Sequence, residues 1–230
     1  FARLENRNIS KQAASAAHQK YLTILGYSEA AFEKGFRSVF ITLTCPSEFH
    51  SSSANYKHKT FEDGHAWLTS FYQALFGYVS RKSKPGVDFW GIRTIEVHAD
   101  GCPHWHILIY ASSQVEMLLR DRLRSLYERE SNSLKSYYAS HNEKIIKTRL
   151  PISYEQYKQA ISYVFFNSYA DNGSSRTDSV AAMRQRVAIS CAGKRQYQLI
   201  GIKGATKIKE LRSHIKHEKK LGGQAENLII

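Results

Sequence analysis

Apolar and polar residues change rhythm several times along this chain, and each change marks an element. From Ile9 to Lys34, alanines, leucines and scattered charges recur at helical spacing up to Gly35, which predicts one or two helices. The rhythm then shortens. Phe36 to Pro46 is β-branched and aromatic, alternates around Phe40, Leu43 and Thr44, and stops at a proline, as a buried strand does. Ser47 to Thr60 is polar, with Ser51, Ser52 and Ser53 in a row, and reads as a loop. Between Phe61 and Arg81, Trp67, Leu68, Phe71, Leu75, Phe76 and Val79 fall on one helical stripe, closed by Lys82, Lys84, Pro85 and Gly86. A stripe of this kind is a core face before it is anything else.

Gly91 to Tyr110 holds two short apolar-rich runs separated by Ala99-Asp100-Gly101-Cys102-Pro103, the punctuation of a β-hairpin. Ser112 to Glu130 is an amphipathic helix, with Val115, Leu118, Leu119, Leu123 and Leu126 inward and arginines interspersed. Ser131 to Leu150 is polar and mixed, carries no predicted element, and ends in the basic run Lys144 to Arg149 before a break at Pro151. Ser153 caps a helix continuing to about Ala170, with Asp171 to Ser175 as its exit loop. A helix from about Asp178 to Ile189, a strand over Arg195 to Gly201 and a basic helix over about Ala205 to Lys220 complete the order. A hairpin plus separated strands covered by helices predicts an α+β domain with a central, mainly antiparallel sheet flanked by helices.

Composition adds a partner class. At 230 residues and 42% apolar the chain can bury a real core, as one domain here, because no repeat or linker divides it. Lysine and arginine number 33 against 20 acidic residues, a formal net charge of +13, which favours a polyanion such as a phosphate backbone. Cys45, Cys102 and Cys191 are far apart and odd in number, which argues against a disulfide framework or a four-cysteine zinc site and fits a reducing cytoplasm. No apolar run approaches about 18 residues and no signal peptide is recognisable, so no membrane role is expected. The chain opens at Phe1, and a domain cut from something longer is expected.

The hairpin carries the candidate chemistry. His104 and His106 are two apart on the second strand, so both leave one face while Trp105 and Ile107 leave the other. Thr94, Glu96 and His98 share a face of the first strand in the same way. If the two faces coincide, a carboxylate and two or three imidazoles converge within reach of one divalent ion. Such a set, with positions left for water and a phosphate oxygen, suits Mg²⁺ or Mn²⁺ for work on phosphodiesters, and also Zn²⁺. The helical metalloprotease spacing is absent, and Cys102 lies too close along the chain to the two histidines to build a zinc cage with them.

The segment Glu96-Val-His-Ala-Asp-Gly-Cys-Pro-His-Trp-His106 resembles the second motif of the HUH endonucleases, in which a bulky apolar residue, here Trp105, separates two histidines. It is most similar to the phage gene A replication initiators and their plasmid relatives. Phe40-Ile-Thr-Leu-Thr-Cys-Pro-Ser-Glu-Phe-His50 resembles the motif that precedes it in that family, and Arg195 to Gly201 a strand near the end of the catalytic domain, so the likeness runs from about Val39 to Arg212. The resemblance implies a nickase of single-stranded DNA that initiates rolling-circle replication. A tyrosine would attack a phosphodiester, stay linked to the 5′ phosphate and free a 3′ hydroxyl for a polymerase or for rejoining. It also implies a bacterial host cytoplasm, with a host helicase and polymerase as partners. The organisation it suggests is an N-terminal helical segment over 1–35, the HUH domain over 36–220 and a tail over 221–230.

For the third metal ligand beside His104 and His106, the resemblance favours Glu96, since related initiators place a glutamate at this spacing, with His98 as the other candidate. Its nucleophile helix resembles Ala160-Ile-Ser-Tyr-Val-Phe-Phe-Asn167, and Tyr163 falls on a tyrosine position in either alignment. The partner position is Gln159 in one alignment and Asn167 in the other, and Phe165 or Phe166 stands where a lysine is usual, so the family's pattern of two tyrosines is not met. Tyr157 and Tyr169 are further candidates. Arg81, Lys82, Lys84, Arg93, Lys147, Arg149, Lys194, Arg195, Lys203 and Lys207 are expected along the DNA backbone, with Tyr154 and Tyr197 as platforms for unstacked bases. A transposase or relaxase would use the same chemistry, and a cleavage-deficient DNA-binding module would keep the fold without it.

Overall fold

Alternation in the strands sets up a sheet with two differently employed faces. In the computed structural model, which describes residues 19–129, 132–150, 153–169 and 187–202, the strands are β1 (Arg37–Thr44), β2 (Phe89–Val97), β3 (Pro103–Ala111), β4 (Ile146–Arg149) and β5 (Tyr197–Ile200). They form one antiparallel sheet in the order β4-β1-β3-β2-β5. β3 is central and covered on both faces, which explains why its apolar run is nearly continuous rather than alternating. Pro103, expected in the turn, is the first residue of β3. The turn closes through His98 N–H to the Cys102 carbonyl and Gly101 N–H to the His98 carbonyl, and Gly101 supplies the positive φ it needs.

Odd-numbered side chains of the three long strands, among them Val39, Ile41, Leu43, Phe89, Ile95, Trp105, Ile107 and Ile109, form one core with α2 (Phe61–Lys82), α3 (Ser113–Arg129) and α4 (Asn132–Ile145). Even-numbered Trp90, Ile92, Leu108 and Tyr110 form a second core with α1 (residues 19–33) and α5 (Tyr154–Tyr169), through Ile24, Ala31, Tyr157, Ile161 and Val164. The fold is therefore α+β with helices on both faces of an antiparallel sheet, as the pattern predicts. α2 begins where Thr60 and Asp63 make a capping box, and its stripe of apolar residues is core. Its first turn lies against the start of β3: a methyl group added at Gly64 would stand 2.8 Å from the Pro103 ring, so only glycine permits this approach.

Two departures from expectation have physical causes. The stretch 131–150, in which the pattern predicts no element, holds α4 and the edge strand β4. Leu134, Tyr138 and Ile145 do keep helical spacing, but polar residues surround them and the helix is kinked at His141. β4 is four residues long, too short for alternation to announce it. Arg93, expected on the surface against a DNA backbone, is instead a core residue. It lies on the α2 side of β2, with its guanidinium carbon 3.8 Å from the centre of the Trp105 ring and 5.3 Å from that of Tyr72. The two aromatic faces offset part of the cost of burying its charge. The expected exit loop at Asp171 to Ser175, the first part of the helix expected over Asp178 to Ile189, the helix from Ala205, the tail 221–230, and Lys203 and Lys207 lie outside the described residues. The last part of that helix is seen as a helical turn over 187–191. All three cysteines are free thiols, and among the described residues no helix is long and apolar enough to cross a membrane.

One packing contact makes a pH test of this core. His65 on α2 lies edge-on to Trp105 at 5.4 Å, and burial, with Lys194 and Arg93 nearby, pulls its imidazole from 6.5 down to about 4. The unfolded chain therefore takes up this proton first, and stability falls as pH drops from about 6.5 to about 4. Thermal melting at pH 7 and pH 5 should show the loss, and His65→Gln should be less sensitive across the same interval.

Candidate metal centre

His104 and His106 project from the first half of β3 onto the face that α1 and α5 cover further along. The register settles where their neighbours stand. His104 is directly opposite Glu96 on β2 and Thr44 on β1, and His106 is opposite Thr94 and Thr42. The ring Nε2 atoms of the two histidines are 3.1 Å apart, and His106 Nε2 is 3.3 Å from Glu96 Oε2. One ligand atom from each of Glu96, His104 and His106 lies within 4.8 Å of the others.

The outer nitrogens are held by β1. Thr44 Oγ1 is 3.0 Å from His104 Nδ1, and Thr42 Oγ1 is 3.3 Å from His106 Nδ1. With each hydroxyl oxygen accepting from Nδ1–H, both Nε2 lone pairs face the same space, the tautomer that a metal-binding imidazole needs. In that tautomer two acceptor nitrogens at 3.1 Å, with a carboxylate beside them, repel one another, and a divalent ion between them would relieve the repulsion, so the donor set fits one. Burial, then the neighbouring rings of His106, His98 and His50, pull His104 down to about 3, so its lone pair is available at neutral pH.

Other candidates fall away from this set. His98 lies beyond the end of β2, exposed, with its ring edge-on to His104 at 4.5 Å and outside the three-ligand group. Cys102 is buried with Cys45, both thiols directed at the Pro103 carbonyl.

With this geometry in view, the model of the bacteriophage replication gene A protein family matches residues 16–170, more than half of the chain. The chain belongs to that family. Among its relatives, the "Probable replication protein P12" of Pseudoalteromonas phage PM2 is 33% identical over 101 residues, 44% of this chain and 16% of that protein. The "Replication protein" of Haemophilus phage HP1 (strain HP1c1) is 27% identical over 231 residues, 96% of this chain and 28% of that protein. The "Probable replication endonuclease from prophage-like region" of Shigella boydii serotype 4 (strain Sb227) is 29% identical over 128 residues, 53% of this chain and 16% of that protein. The chain thus spans less than a third of the length of these relatives. No solved structure matches it.

The remaining site residues of this gene A family chain are unevenly placed. Lys147 and Arg149 on β4 are exposed and opposite Phe40 and Ser38, which puts them on the ligand face; the Phe40 ring itself lies 5.3 Å from that of His106. Lys194, half-buried, and Arg195, exposed, precede β5 at the other edge of the sheet. Lys82 and Lys84 are exposed but stand at the far end of α2, about 30 Å by helical rise from the turn that meets Pro103. Tyr163 falls on α5; its side chain, like that of Tyr169, lies outside the described residues. Tyr157 is a core residue whose hydroxyl donates to the Phe36 carbonyl and whose own carbonyl accepts from Tyr110, an anchored role rather than a nucleophile's. Tyr197 is buried and Tyr154 half-buried, which leaves little ring surface for a base.

Sequence reasoning did not single out Thr42 and Thr44 as the residues that orient the histidines. Their spacing of two on β1 was the available signal, but a threonine pair on a strand ordinarily means only strand propensity. Lys20, which donates from α1 to the Tyr197 carbonyl at 2.9 Å, was also missed, because nothing local connects it to the sheet.

Binding of an ion should be measurable directly. Added Mn²⁺ is expected to raise the melting temperature, and His106→Ala to abolish that rise. Thr44→Val, which keeps the shape but removes the oxygen facing His104, should weaken Mn²⁺ binding by about 10-fold in a calorimetric titration.

Proposed function

We propose that this chain is the HUH endonuclease domain of a rolling-circle replication initiator, nicking and rejoining single-stranded DNA through a 5′-phosphotyrosine link. The observation that carries the reading is the convergence of Glu96, His104 and His106 at the mouth of the central strand. The names of relatives as replication endonucleases support it. In this reading Glu96, His104 and His106 hold Mg²⁺ or Mn²⁺, which when bound would offset phosphate charge at the reacting diester.

The chain's own residues supply the rest. The Tyr163 hydroxyl loses its proton and its oxygen attacks phosphorus in line; the bond to the 3′ oxygen breaks, and that oxygen leaves as a hydroxyl after taking up a proton. The 5′ phosphate remains on tyrosine, and reversal of the step rejoins the strand. α5, which carries Tyr163, packs on the same face of the sheet as the ligands, through Tyr157, Ile161 and Val164. A position on that face is what a nucleophile needs in order to share one phosphate with the metal. Lys147, Arg149, Lys194 and Arg195 would meet the DNA backbone on either side, Lys203 remains a candidate, and Lys82 and Lys84 would serve only a long substrate. The setting is a bacterial cytoplasm, with a host helicase and polymerase acting on the nicked strand.

The family's second tyrosine position is held by Gln159 or Asn167 and its lysine position by Phe165 or Phe166, which favours, as the second reading, a DNA-binding module without cleavage. An origin-like oligonucleotide with Mn²⁺ separates the two. A covalent adduct that disappears in Tyr163→Phe is expected; tight binding without any adduct would favour the second reading, and an undiminished adduct in Tyr163→Phe would overturn the choice of nucleophile.

A further inference from the structure

His50, on the loop that leaves β1, takes no part in the chemistry above, yet its ring is gripped on both sides. Nδ1 lies 2.9 Å from Asp100 Oδ2, and Nε2 lies 3.2 Å from the Cys45 carbonyl oxygen. A carboxylate and a backbone carbonyl both accept, so a proton on either ring nitrogen finds a partner. Asp100 is itself fully used: its Oδ1 accepts from Cys102 N–H at 3.0 Å, its Oδ2 also from the Ser52 hydroxyl at 3.2 Å, and its carbonyl from the Ser51 hydroxyl at 3.2 Å. Burial opposes the Asp100 charge, but these donors outweigh it and hold the carboxyl below its ordinary value.

The two grips fall at informative places. Cys45 follows Thr44, whose hydroxyl meets His104 Nδ1, and Asp100 sits in the turn between Glu96 and His104. One imidazole therefore ties the end of β1 to the β2–β3 turn, the two segments that decide where the His104 ring and the Glu96 carboxylate stand. The exposed His98 ring adjoins both sides, edge-on at 5.4 Å from His50 and 4.5 Å from His104. The pair lies at the end of the sheet, with side chains 17% and 12% exposed. Sites of this kind demand ligand placement within about 0.5 Å, which strand ends do not provide unaided.

We propose that His50, acting through Asp100, is a positioning residue for the metal centre: it fixes the β2–β3 turn against the end of β1, and so the approach of Glu96 to the two imidazoles, without touching the ion or the DNA. The proposal rests on Glu96, His104 and His106 holding a divalent ion. Its test uses the whole chain with Mn²⁺ calorimetry, the visible absorption of bound Co²⁺ as a reporter of ligand geometry, and melting of the metal-free protein. The variants are His50→Ala, Asp100→Asn and the double, with Leu119→Ala, a core truncation on the other face of the sheet, as a control for stability alone.

Each single variant is expected to weaken Mn²⁺ binding by about 10-fold and to change the Co²⁺ absorption. The double should be no weaker than the worse single, because both act through one contact. Leu119→Ala should lower the melting temperature and leave both metal readouts unchanged. Unchanged Mn²⁺ affinity in His50→Ala, losses that add in the double, or the same metal changes in Leu119→Ala would overturn the proposal. If His50→Ala does not fold, Ser52→Ala decides, since it strips one donor from the same Asp100 oxygen: weaker Mn²⁺ binding supports the clamp and unchanged binding refutes it. A wild-type chain that binds no Mn²⁺ would refute the metal site itself, and the clamp with it. Wild-type binding with unaffected variants would refute only the role of His50.

Discussion

The antiparallel register of β1, β3 and β2 is the constraint on which the rest of the molecule depends. Successive residues of β3 serve opposite sides of the sheet, so a slip of one residue would carry His104 and His106 into the α2 core and Trp105 out of it. What holds the phase is chiefly Trp105. It is completely buried against Arg93, Tyr72 and His65, and removal of such a side chain from a core costs about 3 to 5 kcal/mol. Cross-strand polar pairs are worth a few tenths to about 1 kcal/mol each and could not set the phase alone. The packing on one face thus places the ligands on the other.

That second face is divided along its length. Over Leu108, Tyr110, Trp90 and Ile92 it is apolar and covered by α1 and α5, pinned by the Tyr157 hydroxyl on the Phe36 carbonyl and by Trp90 Nε1–H on the Tyr27 carbonyl at 2.9 Å. Over His104, His106, Glu96, Thr42 and Thr44 it turns polar. The candidate ligands therefore sit at one end of the three long strands β1, β3 and β2, while the proposed nucleophile Tyr163 comes from a helix laid across the same face. Ligands on paired strands and a nucleophile on a separately packed helix would suit the proposed reaction, in which the same geometry must be met in cleavage and in rejoining.

The net charge of +13 does not by itself mark out a binding surface, because individual basic residues play different parts. Arg93 is an internal cation stacked on two aromatic rings, and Arg37 and Arg120 both bind the buried Glu116, at 2.5 and 2.8 Å. Lys147, Arg149, Lys194 and Arg195 remain at the edges of the sheet that carries the ligands. Even so, the whole positive field would draw a polyanion toward the molecule before any one contact forms.

Local rhythm was enough to determine that β1, β2, β3 and β5 are strands, that α2, α3 and α5 are helices, and that His104 and His106 share a face. These properties depend on residues a few positions apart, within one element, where periods of 2 and 3.6 are written in side-chain chemistry. It did not reveal α4 and β4, one diluted by polar residues and kinked, the other too short to repeat. Nor could it say that Glu96 would face His104, that Thr42 and Thr44 would orient the two rings, that Arg93 would be internal, or that His50 would reach Asp100. Thr44 and His104 are 60 residues apart and His50 and Asp100 are 50 apart. Which residues meet over such distances is decided by strand pairing and by the burial of Trp105, and only the folded sheet supplies both.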